Sequence, residues 1–197
     1  MNYIIVGLGN PGQEYEHTRH NAGRIVVDHI RKLFDMPEWK TDKKLTAQLS
    51  KGNLGKHTLT LIAPNTFMNK SGLSVKPLIT TAKTAERLLV VYDDLDIGSG
   101  DFKMSFNKSS GGHKGIESII KATKTEAFGR IRIGISPIGS KGIKKPKGEE
   151  AVTKLIMGKF SPDELISLKK VSKKIYETVD IWSQKGVIDA MTFFNTK

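Results

Sequence analysis

The sequence predicts a single-domain α/β fold with one mixed β-sheet between α-helical layers, and three observations carry that expectation. Short β-branched runs such as Tyr3-Ile4-Ile5-Val6 alternate with stretches whose apolar residues recur at helical spacing. Arg87–Tyr92, RLLVVY, is almost continuously apolar, as a central strand covered on both faces must be. No linker or internal repeat divides the 197 residues, a length suited to one well-buried core.

The first strand stops at Gly7-Leu8-Gly9-Asn10-Pro11-Gly12, where glycines allow unusual backbone angles and Pro11 stiffens the exit. Polar residues lead to Thr18-Arg19-His20-Asn21, and an amphipathic helix follows through Ala22, Ile25, Val26, Ile30, Leu33 and Phe34. Asn10 and His20 therefore flank one glycine-rich loop. Leu45–Lys51 and His57–Ala63 read as a hairpin around Gly52-Asn53-Leu54-Gly55. Pro64-Asn65-Thr66 ends the second strand, and a helix interrupted near Gly72 and Pro77 is expected from Met68 to about Thr84. Asp93, Asp94 and Asp96 are expected just past the end of the RLLVVY strand.

Asp101–Phe106 and Arg130–Ser136 read as further strands. Between them lie a Ser109–Gly115 loop and a helix through Ile116, Ile119 and Ile120. The glycine-, proline- and lysine-rich stretch 137–149 reads as a mobile basic loop. Ser161 caps a helix with Pro162 in its first turn and Glu164 completing a capping box, and Gly186 ends it. Met191, Phe193 and Phe194 read as packing residues. In open α/β sheets ligands bind at the carboxyl ends of strands, which places Asn10 and Asp93 in one crevice.

Composition narrows the partners. A net charge of +12 points to an anionic one. The charge is unevenly spread: residues 137–176 hold ten lysines against four acids, half the net charge in a fifth of the chain. Such a patch suits a nucleic-acid backbone. With no cysteine, disulfides and thiolate metal sites are excluded, which fits a cytoplasmic setting. No apolar run approaches a membrane span of roughly 18 residues, and the N-terminus does not read as a signal peptide.

Gly7–Gly12 satisfies G-x-G-x-x-G after a strand, the pattern of a dinucleotide site. Two details count against it: the helix starts several polar residues later, and no acidic residue ends a second strand at the required distance. The five histidines show no H-E-x-x-H spacing, and no G-x-S-x-G elbow exists. What remains is a histidine with a carboxylate, able to deprotonate water. His20, at a helix N-terminus, would be held neutral by the dipole. Asp93 would oppose that, favouring protonation and fixing the tautomer that exposes the basic nitrogen.

The blocks VGLGNPG, TRHNAG, TFMNKSG (66–72), VYDDLD (91–96), SGGHKG (110–115) and RIRIGIS (130–136) together resemble the bacterial peptidyl-tRNA hydrolases. The resemblance implies a twisted mixed sheet flanked by helices, in a monomer. It implies hydrolysis of the ester joining a peptide to the terminal ribose of tRNA, without metal or cofactor and with peptidyl-tRNA as partner. His20 would be the catalytic base and Asp93 its orienting acid. Asn10 would select substrates with a blocked amino group, and Asn69 would position water and stabilise the oxyanion. Tyr15 and Phe67 match substrate contacts. Two positions depart from the family pattern. Lys114 stands where a substrate-contacting Asn is usual, and its charge is expected to strengthen substrate binding and to lower the pKa of nearby His20. Ser105 replaces a lysine that, with the residue matching Arg132, holds the tRNA 5′-phosphate; Lys103, Lys108 or Lys114 would have to substitute. A non-catalytic RNA-binding protein on the same scaffold is the competing reading.

Overall fold

The computed structural model describes residues 1–196. Strand β1 (Asn2–Gly7) leads through the glycine-rich loop to helix α1 (Ala22–Leu33). A short strand β2 (Lys40–Asp42), not anticipated from sequence, precedes the hairpin of β3 (Ala47–Leu54) and β4 (His57–Pro64). Leu54 pairs with His57, so the turn is only Gly55-Lys56, with Gly55 at φ +54°; residues 52–54 belong to the strand, not the loop. The 68–84 stretch is broken as expected, into a 3₁₀ turn at Met68–Lys70, helix α2 (Gly72–Val75), a second turn at Lys76–Leu78 and helix α3 (Ala82–Ala85). The first break falls at Ser71, just before Gly72 starts α2, and a Cβ on Gly72 would collide with the Ser118 carbonyl.

Strand β5 runs from Leu88 to Gly98. The expectation that its acids lie past its end is corrected: Asp93 and Asp94 still pair with Ile133 and Gly134, and the register slips only between Asp94 and Gly98. The chain continues through β6 (Phe102–Phe106), helix α4 (Lys114–Thr123) and β7 (Gly129–Ser136). Residues 137–149 are not wholly irregular. They contain a small ribbon of β8 (Ile138–Gly139) and β9 (Gly142–Ile143), whose turn Gly142 permits at φ +102°. Helix α5 (Glu149–Met157) then leads into α6 (Pro162–Lys185) and α7 (Val187–Asn195).

The sheet order is β2-β3-β4-β1-β5-β7-β6. The four inner strands are parallel, β3 and β6 pair antiparallel on either side of them, and β2 pairs antiparallel with β3. The fold is thus the expected α/β layer, with a mixed sheet flanked by helices. Tyr3 and Ile5 face a core shared with α1, α6 and α7; Ile4 and Val6 face one shared with α2, α3 and α4. Both faces being covered explains the unbroken apolar run of β5. Since β4 and β5 flank β1 on opposite sides, the loop after β1 sits where the strand order reverses, the usual place for a crevice.

The α6 start forms as read. The Ser161 hydroxyl accepts from the Glu164 N–H, and the Glu164 carboxylate accepts from the Ser161 N–H at 2.7 Å. Such a cap contributes about 1 kcal/mol. Phe194 is buried against α6, as expected of a packing residue. Among the described residues no helix is long and apolar enough to cross a membrane.

Candidate active site

His20 lies in a 3₁₀ turn, Arg19–Asn21, immediately before α1. Three contacts pin that turn to the chain's last third. The Arg19 N–H donates to the Gly158 carbonyl (2.9 Å), Thr18 bridges Lys159, and the Arg19 guanidinium grips the Glu164 carboxylate at 2.9 and 3.1 Å. Glu164 therefore caps α6 and anchors the histidine turn at once. A fork of this kind adds orientation as well as energy. Its charge-assisted partners, with the Ser161 amide and the Ser99 hydroxyl, outweigh partial burial and lower the Glu164 pKa. Gly23 permits the approach of α1 to the sheet, since a Cβ would collide with the Val91 carbonyl.

Asn21, which carries no role in the sequence motifs, clamps the loop after β1. Its Oδ1 accepts from the Asn10 N–H (2.8 Å) and its Nδ2 donates to the Asn10 carbonyl (2.9 Å). Asn10 in turn accepts from the Met68 N–H through Oδ1 at 2.8 Å. The Nδ2 end of Asn10 is thereby left as its free end, a donor without acceptor capacity.

Asp93 is almost fully buried, its side chain 3% exposed. The His20 Nδ1 lies 2.9 and 3.1 Å from its two oxygens. The structure adds a second partner missed from sequence: the His113 Nε2 lies 3.3 Å from Oδ1. Burial alone would raise the Asp93 pKa; the two imidazoles overwhelm it and hold the carboxyl far below its usual range. A carboxylate only accepts, so both ring nitrogens must donate to it. For His20, burial lowers the pKa, but the charge and hydrogen bond of Asp93 outweigh it, and the net shift is upward.

His20 and Asn10 line one cleft of about 570 Å³ together with Phe67, Met68, Asn69, Lys70 and Lys114. Phe67 is 57% exposed at its rim. Tyr15, in a preceding 3₁₀ turn, is half-buried and is not among the residues lining the cleft; its carbonyl holds the Thr18 amide at 3.0 Å. Lys114 lines the cleft, but its ammonium is 3.1 Å from the Glu117 carboxylate, and the shift of His20 traces to burial and Asp93 rather than to this lysine. Arg132 holds Asp94 at 2.7 Å on β7, with Lys103 directly opposite on β6. A larger cavity, about 650 Å³, lies beside α1 and includes Trp39, His29 and Lys169, but neither His20 nor Asp93.

The nitrogens of His20 and His113 and an oxygen of Asp93 fall within 4.8 Å of one another, close enough to surround a cation. The hydrogen bonds do not suit one. The His113 Nδ1 accepts from the Ile116 N–H at the start of α4 (3.4 Å). Ligation through Nε2 would require a proton on Nδ1 and break that bond.

Comparison with known proteins agrees with the motifs. The family model described as peptidyl-tRNA hydrolase matches residues 4–197. The peptidyl-tRNA hydrolase of Shouchella clausii is 34% identical over 193 residues, 98% of this chain and 99% of that protein. That of Aquifex aeolicus is 40% identical over 172 residues, covering 87% and 84%. The crystal structure of the Acinetobacter baumannii peptidyl-tRNA hydrolase superposes with a TM-score of 0.84 at 32% identity, covering 98% of this chain and 94% of that one. With the sheet, the Asn10–His20 cleft, the His20–Asp93 pair and a match over nearly its whole length, this chain belongs to the peptidyl-tRNA hydrolase family.

Proposed function

We propose that this chain hydrolyses the ester joining a peptide to the terminal ribose of tRNA, with His20 as the base that activates water. The observation that carries the proposal is the His20–Asp93 pair. With Nδ1 committed to the carboxylate, Nε2 is the ring nitrogen left to face the cleft. Nε2 takes a proton from water, and the resulting hydroxide attacks the ester carbonyl. The buried Asp93 charge stabilises the imidazolium that forms. Asn69, exposed in the cleft, would donate to the oxyanion. Collapse of the tetrahedral intermediate expels the ribose oxygen, which takes the proton back from His20. The products are a peptide carboxylate and free tRNA, and no metal or cofactor is needed.

The orientation of Asn10 supplies selectivity. Its free Nδ2–H group can donate to the carbonyl of a peptide bond, whereas the α-ammonium of an unblocked aminoacyl-tRNA would bring donor against donor. Asn10→Asp, which keeps an acceptor for Met68 but turns the free end into an anion, is expected to lower the preference for N-acetyl-aminoacyl-tRNA over aminoacyl-tRNA by about tenfold or more. The kcat/KM ratio for the two substrates measures this. An unchanged ratio would remove Asn10 from substrate selection.

The tRNA body would lie on the lysine-rich surface. Arg132 and Lys103 are cross-strand neighbours, whereas Ser105 pairs with the buried Arg130. This register favours Lys103 as the cation that replaces the missing lysine of the phosphate clamp. Lys144 and Lys147 are exposed, while Lys145 is engaged with Asp96. Replacing all three with Ala is expected to flatten the dependence of log affinity on log salt, by up to about one unit for each lysine that touches a phosphate. If the slope of a tRNA-binding titration does not change, these lysines are solvated surface and the phosphates are held elsewhere.

A further inference from the structure

His113 has no role in the site as the sequence motifs define it, yet it occupies the centre. Its side chain is 11% exposed, its ring centroid lies 5.5 Å from that of His20 and 4.8 Å from that of Tyr92, and both its nitrogens are engaged. Nδ1 is the N-cap acceptor of α4, taking the Ile116 N–H, and Nε2 donates to Asp93 Oδ1. A neutral imidazole offers one acceptor and one donor. This ring uses both, in the one tautomer that satisfies both neighbours.

We propose that His113 is a positioning residue for the hydrolysis: fixed as a neutral Nε2–H tautomer by capping α4, it holds one oxygen of Asp93 and so sets how strongly that carboxylate acts on His20. The inference rests on His20 being the base, and it explains why the base is His20. Protonating His113 would place an Nδ1–H against the Ile116 N–H and cost the cap. Protonating His20 at Nε2 costs no bond to the protein among the described residues. Of two histidines on one carboxylate, only His20 is free to cycle.

Sharing has a second effect. Each N–H on Asp93 draws down its charge, so the His113 bond weakens the pull that Asp93 exerts on a proton at His20. The remaining charged groups around His20 are few. Lys114 lies on α4 and is paired with Glu117; Lys70 lies in the turn at Met68–Lys70. Helix α5, packed against the histidine turn, carries Glu149, Glu150 and Lys154. On α1, Arg24 is bonded to the Pro64 carbonyl, and Arg19 in the same turn is paired with Glu164. Asp93 is the one charge bonded to the ring, and His113 is its other partner.

Two substitutions separate the functions of the ring. In His113→Asn a short amide keeps an N-cap acceptor but cannot reach Asp93. In His113→Gln a longer amide keeps a donor for Asp93 and gives up the cap. The expected result is that His113→Asn folds with nearly native Tm while the acid limb of its kcat/KM profile moves to higher pH. The ratio of activity at pH 6 to that at pH 8 should fall about threefold to tenfold, the net scale of one ordinary hydrogen bond. His113→Gln should keep the native limb and lose about 2–4 °C in Tm. Imidazole ¹⁵N spectra of the native chain at pH 8 should show His113 as an Nε2–H tautomer. An unmoved acid limb in His113→Asn, or a His113 that carries its proton on Nδ1, would overturn the proposal. Failure of the underlying reading looks different: an acid limb and turnover that survive in His20→Ala would mean that His20 is not the base at all.

Discussion

His20→Ala is expected to lower kcat/KM for peptidyl-tRNA by about 10²–10⁴-fold, the range spanned by loss of a positioned general base. Affinity for tRNA should change little, because phosphate contacts supply most of it and the His20 side chain is bonded to the buried Asp93. Steady-state hydrolysis of N-acetyl-aminoacyl-tRNA, paired with a tRNA-binding titration, measures both quantities. Near-native turnover would remove His20 from the chemistry. The native enzyme should also lose activity below an acid limb lying above 6.5, the ordinary histidine value, because Asp93 raises the proton affinity of His20 more than burial lowers it. The sign follows from the base having to be neutral to act.

Asp93→Asn is expected to cost more than removal of a charge suggests, on the order of 10³–10⁴-fold, comparable to the same exchange in a serine-protease triad. An amide presents one acceptor and one donor where the carboxylate presented two acceptors. His113, committed through Nδ1 to α4, can only donate and takes the amide oxygen. His20 must then accept from the amide nitrogen through Nδ1, which moves its proton to Nε2, the nitrogen that should take the proton from water. The base is lost by tautomer rather than by absence. Imidazole ¹⁵N shifts would report the switch, and a variant whose His20 stayed protonated at Nδ1 with high activity would contradict it. The stability profile should change as well. Asp93 has a lowered pKa when folded, so its stabilisation is present above its ordinary value of 3.8 and is lost as pH falls. His20 has a raised one, so its share is present below 6.5 and is lost as pH rises through the folded value. Asp93→Asn should therefore flatten both ends of the pH–stability curve.

The site is legible in the sequence wherever chemistry and chain order coincide. Asn10 and His20 flank a loop that a strand end and a helix start place predictably, and β5 reads as central from its composition alone. What stays hidden depends on contacts distant in sequence. Glu164 looks complete as a capping residue, and nothing in Ser161-Pro162-Asp163-Glu164 announces that the same carboxylate also holds Arg19. His113 sits in a glycine-rich stretch that reads as a loop; only α4 starting at Lys114 makes it a cap and aims its other nitrogen at Asp93. Asn21 lies inside a motif whose histidine draws the attention, yet it builds the wall between His20 and Asn10. The extension of β5 through the acids is masked because aspartate is a poor strand former; pairing with β7 overrides the propensity. The lowering of the His20 pKa expected from Lys114 does not prevail: Asp93 sets an upward shift, and the Lys114 ammonium is paired with Glu117 along the helix.

The most direct measurement is hydrolysis of N-acetyl-aminoacyl-tRNA by the native chain in ¹⁸O-labelled water. Attack by His20-activated water on the ester carbonyl predicts release of tRNA with one ¹⁸O in the carboxylate of the freed N-acetyl-amino acid and none in the terminal ribose. The reaction should disappear in His20→Ala. Binding of the substrate with no release, or release that places the label in the tRNA, would contradict the mechanism; the former would leave a non-catalytic RNA-binding protein on this scaffold.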